Sequence, residues 1–409
     1  MVTRPKKPKQ PVPRGNIVRH YRTMLRARES SDGLEGTGVS SEPDLSDGGI
    51  RDRLEATDAE LRRIVKKYLG DRPELYEIVE QIVKPADEAL RVLRNGDEEE
   101  LRQKPEAVSS LEAIVRTDGS RPSFLIRHGK VDLETSPVTT WADTLQASAL
   151  AGLLGDGINC VGRIDVPGAP QGFEGTGFLI QENLIVTNRH VLQELGTRED
   201  DGTWTLNPKA TIDFGHEFRA RKSVGRRSLR RVVFAGDKPI LLTGAVDHKK
   251  LDLALIELEP ADAAARPRSV LWVDEAKDWS EPDVRVYTIG YPGIPPVDDY
   301  KPTLLEQLFQ TTFGYKRLAP GLVVKSQANV ARWTTAHDAT TLGGNSGSIL
   351  LVVGRERTAA GLHYGGRRGE RAENWGHVLG SVLDQTDGRS DRTLRQLLKE
   401  AGVQLVNRA

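Results

Sequence analysis

The stretch Thr340-Thr341-Leu342-Gly343-Gly344-Asn345-Ser346-Gly347-Ser348 places a serine, Ser346, between glycines, and the strand-like run 349–353 follows it. A serine hydroxyl is a weak nucleophile unless a base removes its proton and hydrogen-bond donors stabilise the resulting oxyanion. Glycines allow a tight turn in which two amide N–H groups point at one oxygen, and Gly344 and Ser346 are the candidates for that pair. The pattern is also typical of a glycine-rich surface turn, so its interpretation depends on residues further upstream.

Two upstream segments supply the groups that such a serine needs. His190 directly follows the second of two apolar runs, 175–180 and 183–187, which predict two strands joined by a short turn. Asp252 stands at the head of the apolar run 251–258, where its carboxylate would be partly buried. A buried carboxylate requires a hydrogen-bonding or charged partner, and the N–H of an imidazole is a suitable one.

These three segments together resemble a known family. Residues 187–191 (TNRHV), 252–255 (DLAL) and 344–348 (GNSGS) are similar to the signature segments of the trypsin-like, chymotrypsin-fold serine peptidases, and they follow that family's chain order of His, Asp and Ser. The resemblance covers roughly residues 158–400. The chain departs from the usual pattern at Arg189 and Ile349, neither of which supplies a catalytic atom.

The residues and the resemblance together predict a serine endopeptidase that forms an acyl-enzyme. Ser346 would attack the peptide carbonyl, His190 would accept its proton and pass it to the leaving amine, and Asp252 would fix the tautomer of the imidazole. The amides of Gly344 and Ser346 would hold the oxyanion. No metal or organic cofactor is required. The alternative is a peptidase-fold scaffold, latent or non-catalytic, that binds a protein partner.

The resemblance also extends to substrate-binding residues. Thr341 occupies a position that lines the primary specificity pocket in this family, and 361–366 (GLHYGG) is similar to the glutamyl endopeptidase pattern, in which a histidine stands on the pocket wall. Thr341 and His363 would then hydrogen-bond an acidic side chain at P1, the substrate residue before the scissile bond. The alternative is that His363 packs as an ordinary wall residue. Gly365 and the next glycine would let an extended substrate backbone pair with this strand.

Composition narrows the choice of partner and compartment. The chain has 58 Lys and Arg against 58 Asp and Glu, so its formal charge of zero gives no general attraction to nucleic acid or membrane. We expect the basic run 219–231 to be a solvated face, and protein or peptide substrates to be the partners. No apolar run approaches the ~18 residues of a membrane span. The single cysteine, Cys160, rules out an internal disulfide and a thiolate zinc site, and the absence of an apolar run after the basic N-terminus predicts no signal peptide. We therefore expect a cytoplasmic peptidase of bacterial type.

The chain is expected to fold as four regions. Residues 1–50 predict a disordered tail, 51–105 a small helical domain, 106–157 a connector or pro-segment, and 158–409 the peptidase domain. From 158 onward, strands separated by Gly, Pro and Asp predict a mainly β fold with two barrels. The first barrel would carry His190 and Asp252 and the second Ser346, and a helix over 382–401 would close the chain.

The helical region 51–105 has two interpretations. It begins in the sequence with Thr57-Asp58-Ala59-Glu60, which predicts a capping box, and a second helix from Pro73 is expected to end or kink at Pro85. The region is either an adaptor that binds a regulatory protein partner or a packing extension of the peptidase. We also expect the peptidase to be held inactive, by 106–157 or by the helices, until a partner or a cleavage releases it.

Overall fold

The structure is a computed structural model, and it describes residues 18, 21, 22, 25, 43–66, 73–103, 111, 114, 121–133, 139–150, 152–219, 225–241, 246–261, 269–293, 313–341, 344–367, 373–389 and 391–407. Within these ranges no helix has the length and apolar character needed to cross a membrane. The predicted mainly β architecture is confirmed, since strands build two closed six-stranded barrels after a group of N-terminal helices.

The N-terminal helices begin earlier than the sequence predicts. They are α1 (Asp47–Ile64), α2 (Pro73–Asn95) and α3 (Glu98–Gln103). The predicted start at Thr57 is wrong, because Ser46 caps α1: its Oγ accepts a hydrogen bond from the amide of Gly49 at 3.1 Å. Thr57 is fully buried in the middle of the helix.

Helix α2 continues through Pro85, where the sequence predicts an end or a kink. A proline inside a helix removes one hydrogen bond and costs about 3 kcal/mol. The apolar face continues on both sides of it, with Val79 and Ile82 buried before Pro85 and Ala89 and Leu90 buried after it. Burial of this continuous face offsets the lost hydrogen bond.

Three residues of the predicted disordered tail are buried. Val18, Tyr21 and Leu25 pack in one cluster with residues of α1 and α2. Their spacing matches one face of a helix, a signal that the surrounding charged and small residues obscure. Arg22 donates to the carbonyl of Leu93 at 3.0 Å, so this short stretch also binds the C-terminal turn of α2.

A hairpin and two helices precede the first barrel. They are β1 (Phe124–Arg127), β2 (Lys130–Val131), α4 (Thr139–Leu150) and α5 (Leu153–Asn159). Phe124, Trp141 and Leu145 are buried in the large core cluster that both barrels share. The predicted connector region therefore supplies core residues in its described part.

The first barrel consists of six antiparallel strands in a closed ring. Its strands are β3 (Val161–Asp165), β4 (Phe173–Gln181), β5 (Leu184–Thr187), β8 (Thr211–Asp213), β9 (Arg226–Ala235) and β10 (Ala254–Leu258), in the spatial order β10-β5-β4-β3-β8-β9. Between β5 and β8 lie helix α6 (Arg189–Leu195) and the small pair β6 (Gly196–Arg198) and β7 (Trp204–Leu206). Strands β4, β5 and β10 are mostly apolar because the barrel buries nearly all of their side chains, whereas β9 alternates buried and exposed residues over much of its length.

The second barrel closes in the same way. Its ring is formed by β12 (Arg285–Gly290), β13 (Arg317–Val324), β14 (Thr334–His337), β15 (Ile349–Val352), β16 (Thr358–Arg367) and β17 (Glu373–Val378), in the order β12-β15-β16-β17-β14-β13 with β13 back on β12. Strand β11 (Trp272–Asp274) pairs with β16. Strand β1 extends the sheet by pairing with β13, with Phe124 opposite Leu318.

The C-terminal helix predicted over 382–401 is in fact two short helices. They are α7 (Leu379–Val382) and α8 (Leu394–Glu400), and β18 (Leu405–Val406) follows and pairs with β11. A bridge between Thr386 and Thr393 interrupts the helical path. Thr393 then starts α8 afresh through a capping box with Gln396.

Polar contacts join the two barrels. Lys316, immediately before β13, is fully buried and donates from Nζ to the carbonyls of Phe214 at 2.8 Å and Ile158 at 3.0 Å. The amide of Tyr291, after β12, donates to Oγ1 of Thr176 in β4 at 3.1 Å. Because each bond joins a segment of one barrel to a segment beside the other, these contacts fix the relative position of the barrels.

Candidate active site

The ends of two paired strands bring His190 and Asp252 together. Strands β5 and β10 are antiparallel, with Thr187 opposite Ala254. The residues just after β5 and just before β10 therefore lie side by side. His190 is the second residue of α6, and Asp252 lies in the short segment that leads into β10.

The pair is held by several hydrogen bonds. Nδ1 of His190 lies 2.5 Å from Oδ2 of Asp252, and the main-chain amide of His190 donates to Oδ1 at 2.8 Å. Asn188 donates from Nδ2 to the Asp252 carbonyl at 2.9 Å. Both carboxylate oxygens thus have a donor, which fixes the ring orientation and places the Nδ1 proton toward Asp252.

Burial and charge have opposite effects on the pKa values of this pair. Burial acts to lower the pKa of His190, but the charge and hydrogen bond of Asp252 outweigh it and raise the pKa above its usual value. Burial acts to raise the pKa of Asp252. The charge of His190 and the hydrogen bonds from its ring and its main-chain amide outweigh burial and lower this pKa below the usual range. Asp252 is therefore ionised near neutral pH and stabilises a positive charge on the imidazole.

The loop that carries Ser346 is bound to both barrels by its main chain. The amide of Thr176 in β4 donates to the carbonyl of Ser346 at 2.8 Å. On the other side, the amide of Gly347 donates to the carbonyl of His363 at 3.0 Å, and the amide of His363 donates to the carbonyl of Ser348 at 2.8 Å. The predicted nucleophile therefore lies where β4 of the first barrel meets β16 of the second.

Two glycines of this loop adopt backbone conformations that side chains disfavour. Gly347 has φ +87°, and a Cβ atom on it would lie 1.9 Å from the carbonyl oxygen of Thr176. Gly344 has φ +90°, and a Cβ atom there would lie 2.6 Å from the amide nitrogen of Gly293. The glycine pattern of the sequence thus reflects both positive φ and close approach of neighbouring main chain.

The predicted substrate-binding residues have polar partners that the sequence did not indicate. Oγ1 of Thr341 donates to Oδ1 of Asn374 at 2.5 Å, and Nδ2 of Asn374 donates to the carbonyl of Ala339 at 2.9 Å. Nδ1 of His363 lies 3.2 Å from Nε2 of His337. Burial, with the neighbouring histidines, lowers the pKa of His363 well below its usual value, and burial lowers that of His337 to about 4.

Gly365 lies on a part of β16 that extends past its neighbour β15. The pairing of β15 with β16 runs from Ala359 to Leu362, whereas β16 continues to Arg367. A Cβ atom on Gly365 would meet none of the described residues within 4 Å. On the side of β15, no described strand pairs with β16 beyond His363, so this edge is available to an extended chain.

A cavity of about 220 Å³ adjoins the His–Asp pair. It is lined by His190, Asp252 and Tyr364. Its rim combines apolar and charged side chains: Ile240, Leu241, Val246, Asp247 and Lys250. Leu241 and Val246 are exposed, at 72% and 43%. The rim therefore presents apolar surface to whatever enters the cavity.

A group of aromatic residues packs beside the main chain of Asp252, and the sequence did not predict it. Nε2 of His377 lies 3.0 Å from the main-chain nitrogen of Asp252, and its ring stacks on Tyr364 with centroids 4.4 Å apart. Nδ1 of His248 lies 2.7 Å from the Tyr364 hydroxyl. No local motif signals these residues, because the barrel register alone places them beside the acid.

Three arginines of the basic run contact carboxylates, whereas Arg227 donates to the main-chain carbonyls of Glu182 and Glu259. Arg226 contacts Asp165 and Asp213, at 3.1 and 3.5 Å. Arg230 and Arg231 both contact Glu257. Within the described residues, no group of three or more His, Cys, Asp or Glu side chains could hold a metal ion.

The two closed barrels, the His–Asp pair and the glycine-framed serine loop define a chymotrypsin-like serine peptidase fold. Residues 175–356 match the family model described as a trypsin-like peptidase domain. A probable serine protease of Lysobacter enzymogenes is 32% identical over 311 residues, which cover 71% of this chain and 77% of the relative. The chain belongs to the trypsin-like serine protease family, and it is a peptidase.

Solved structures share the general architecture at low identity. The inactive form of Rv3671c from M. tuberculosis H37Rv is 15% identical, with a TM-score of 0.36, over 61% of this chain and 90% of that one. Human heparin binding protein is 15% identical, with a TM-score of 0.38, over 56% of this chain and 91% of that one. These values carry no argument about substrate or regulation.

Proposed function

We propose that the chain hydrolyses peptide bonds through a Ser346–His190–Asp252 triad. The observation that carries this proposal is the 2.5 Å contact between Nδ1 of His190 and Asp252. It leaves Nε2 of the ring as the nitrogen that accepts a proton. The pair adjoins strands β5 and β10 of the first barrel, and the main chain of Ser346 is bonded to β4 of the same barrel. This common attachment supports the assignment of all three residues to one site.

The residues divide the chemistry in the following way. Ser346 Oγ attacks the substrate carbonyl while its proton passes to Nε2 of His190, and the ionised Asp252 stabilises the imidazolium that forms. The imidazolium then protonates the leaving amine, and a water molecule hydrolyses the acyl-enzyme by the same steps in reverse order. The amides of Gly344 and Ser346 would stabilise the oxyanion, which requires the tight turn at Gly344.

We further propose that the enzyme prefers an acidic P1 side chain. His363 is neutral, so with its Nδ1 accepting from Nε2–H of His337 its own Nε2–H is a donor for a carboxylate. The hydroxyl of Thr341 is a second donor. It donates to Asn374 in this structure, so a substrate carboxylate would have to replace Asn374 as its acceptor. The open edge at Gly365 would pair with the substrate main chain as an added strand.

A peptide library that varies only P1 tests this function. We expect cleavage after Glu or Asp by the wild-type protein and none by Ser346→Ala. Thr341→Val keeps the shape of the side chain but removes its hydroxyl, and should lower kcat/KM for a Glu substrate by about 10- to 100-fold, since hydrogen bonds to charged groups contribute about 1.5–3 kcal/mol. The Gln substrate of the same sequence is the control and should change little. Equal losses for Glu and Gln would contradict the acidic preference.

Regulation by the N-terminal region belongs to the same proposal. The helices α1 to α3 would bind a partner or hold the site inactive until a partner or a cleavage releases it. The supporting observation is that they form apolar clusters of their own, separate from the barrel core. The test is a time course of peptide hydrolysis with intact mass read in parallel. A lag that ends with cleavage or with partner addition supports the proposal, and full activity of the freshly purified, uncut chain overturns it.

A further inference from the structure

A hydrogen bond from the second barrel holds the main chain of Asp252 in the first. The Asp252 amide donates to Nε2 of His377 at 3.0 Å, and His377 lies in β17 of the second barrel. The other polar groups of Asp252 are bound within the first barrel, to His190 and Asn188. Within the part of the chain that the structure describes, the His377 contact is therefore the one by which the main chain of Asp252 is bonded across the two barrels.

The arrangement requires a particular form of the His377 ring. Nε2 can accept only through its lone pair, so the neutral ring carries its proton on Nδ1. Among the described residues, Nδ1 has no hydrogen-bond partner although it is buried, so the ring keeps this form at an energetic cost. Burial lowers the pKa of His377 to about 4, so the ring is neutral and able to accept near neutral pH.

Packing keeps this ring in place. His377 is fully buried and stacks on Tyr364, at a centroid distance of 4.4 Å and an interplanar angle of 27°. The Tyr364 hydroxyl contacts Nδ1 of His248 at 2.7 Å and Oγ1 of Thr334 at 3.3 Å. His248 packs edge-on against Trp375. Residues from four segments thus fix the orientation of the acceptor nitrogen.

The position of His377 also links the acid to the serine loop. It stands opposite Leu362 in the pairing of β17 with β16. The next residue of β16, His363, exchanges main-chain hydrogen bonds with the loop at Gly347 and Ser348. A shift of β17 would therefore move Asp252 and the loop of the nucleophile together.

We propose that His377 is a positioning residue for Asp252, the aspartate of the triad. Nε2 of His377 accepts a hydrogen bond from the Asp252 amide and so aligns the two barrels across the active site. This inference rests on the proposed triad. Without the acceptor, the buried Asp252 amide would lose its partner and the carboxylate would shift relative to His190. The main effect would fall on activation of the nucleophile, since Gly365 of the proposed substrate edge pairs with Trp375 and not with His377.

Two variants of similar size separate the acceptor from the packing. His377→Gln offers an amide oxygen to the Asp252 amide, whereas His377→Met fills a similar volume with only a weak acceptor. The first measurement is the second-order rate constant for labelling of Ser346 by a fluorophosphonate, with thermal unfolding recorded for each variant. We expect His377→Met to be labelled about 10-fold more slowly than wild type and His377→Gln to recover most of the rate.

The second measurement observes the His190–Asp252 hydrogen bond itself. Its Nδ1 proton should give a strongly downfield signal in ¹H NMR spectra of protein labelled with ¹⁵N-histidine. We expect this signal in wild type and His377→Gln, and a shifted or broadened signal in His377→Met. An unchanged signal and rate in His377→Met would overturn the proposal. Wild-type protein that stays unlabelled at Ser346 after prolonged incubation and cleavage would instead refute the triad, and the NMR comparison would still decide the role of His377. If His377→Met does not fold, His377→Phe, which retains an aromatic ring for the stack on Tyr364, takes its place.

Discussion

At the scale of single residues, the site depends on which nitrogen of His190 carries the proton. Asp252 binds the Nδ1 side and so leaves Nε2 as the base. The tautomer of His190 depends on the Asp252 carboxylate, because an amide in its place would favour the other tautomer.

Asp252→Asn should therefore lower kcat by about 10⁴-fold with little change in fold. The same variant should change the pH profile. Wild-type kcat/KM should rise with pH as His190 loses its proton, at an apparent pKa above the usual 6.5, because the Asp252 charge and hydrogen bond outweigh burial. Without the charge of Asp252, the pKa of His190 should fall. The residual activity of the variant should therefore begin to rise at a lower pH than the activity of wild type does. A profile that stays in place would contradict the proposed role of Asp252.

The glycines of the serine loop allow a second test at this scale. In Gly347→Ala the new methyl group would meet the carbonyl of Thr176, at 1.9 Å in the unrelaxed structure, and the loop would have to move. We expect labelling of Ser346 to slow by about 100-fold, the size of effect that a displacement near 1 Å produces.

Gly354→Ala is the matched control for that variant. Gly354 has the same φ of +87°, but a Cβ atom there would have no described residue within 4 Å. It therefore carries the backbone strain without the collision. Equal losses in both variants would show that strain, and not the contact with Thr176, accounts for the effect.

The candidate site residues carry a signal in the sequence, whereas the residues that the structure places beside them do not. His190, Asp252 and Ser346 stand in short local motifs, so a reader of the sequence finds them without a structure. His377 lies 125 residues from its partner Asp252, and only the pairing of β17 with β16 and β14 brings it there. A single histidine in an apolar strand carries no signal of such a contact.

At the scale of elements, the hairpin β1–β2 is built into the second barrel. The carbonyl of Arg121, just before β1, accepts from Oγ1 of Thr340 at 2.7 Å. Its guanidinium is fully buried and contacts both carboxylate oxygens of Asp338, whose Oδ1 also accepts from the amide of Leu322. This ion pair thus ties a segment outside the predicted peptidase boundary to the strands beside the serine loop.

Arg121→Met should lower the free energy of unfolding by about 3–5 kcal/mol, because it leaves the carboxylate of Asp338 buried without its charge partner. Urea denaturation measures this change. The double variant Arg121→Met/Asp338→Leu removes both charges and should recover part of the loss. A loss below about 1 kcal/mol for the single variant would show that the hairpin can detach without cost to the barrel.

The helices show where sequence patterns are ambiguous. Thr57 and Glu60 fit a capping box, yet the helix starts at Asp47, because Ser46 caps it and the apolar face begins with Ile50. Pro85 fits a helix end, yet the buried face on both sides keeps α2 intact. For α2, tertiary packing, which a local pattern does not contain, decided the boundary, whereas for α1 a second local cap at Ser46 competed with the one at Thr57.

At the scale of the whole molecule, the two-barrel architecture was predictable and its attachments were not. Short strands separated by turn residues gave the barrels, and the order of the His, Asp and Ser motifs distributed the site between them. The hairpin at β1 and the buried residues Val18, Tyr21 and Leu25 are joined to the fold by long-range contacts. Such contacts leave little trace in a single sequence.

The proposed function requires that Ser346, activated by His190 and Asp252, is the nucleophile. The most direct measurement is labelling by a fluorophosphonate, with intact mass and peptide mapping, on the full chain and on Ser346→Ala. We expect one adduct per chain at Ser346 and none in the variant. An adduct at another residue, or no adduct on chains that prolonged incubation and cleavage have had the chance to activate, would contradict it.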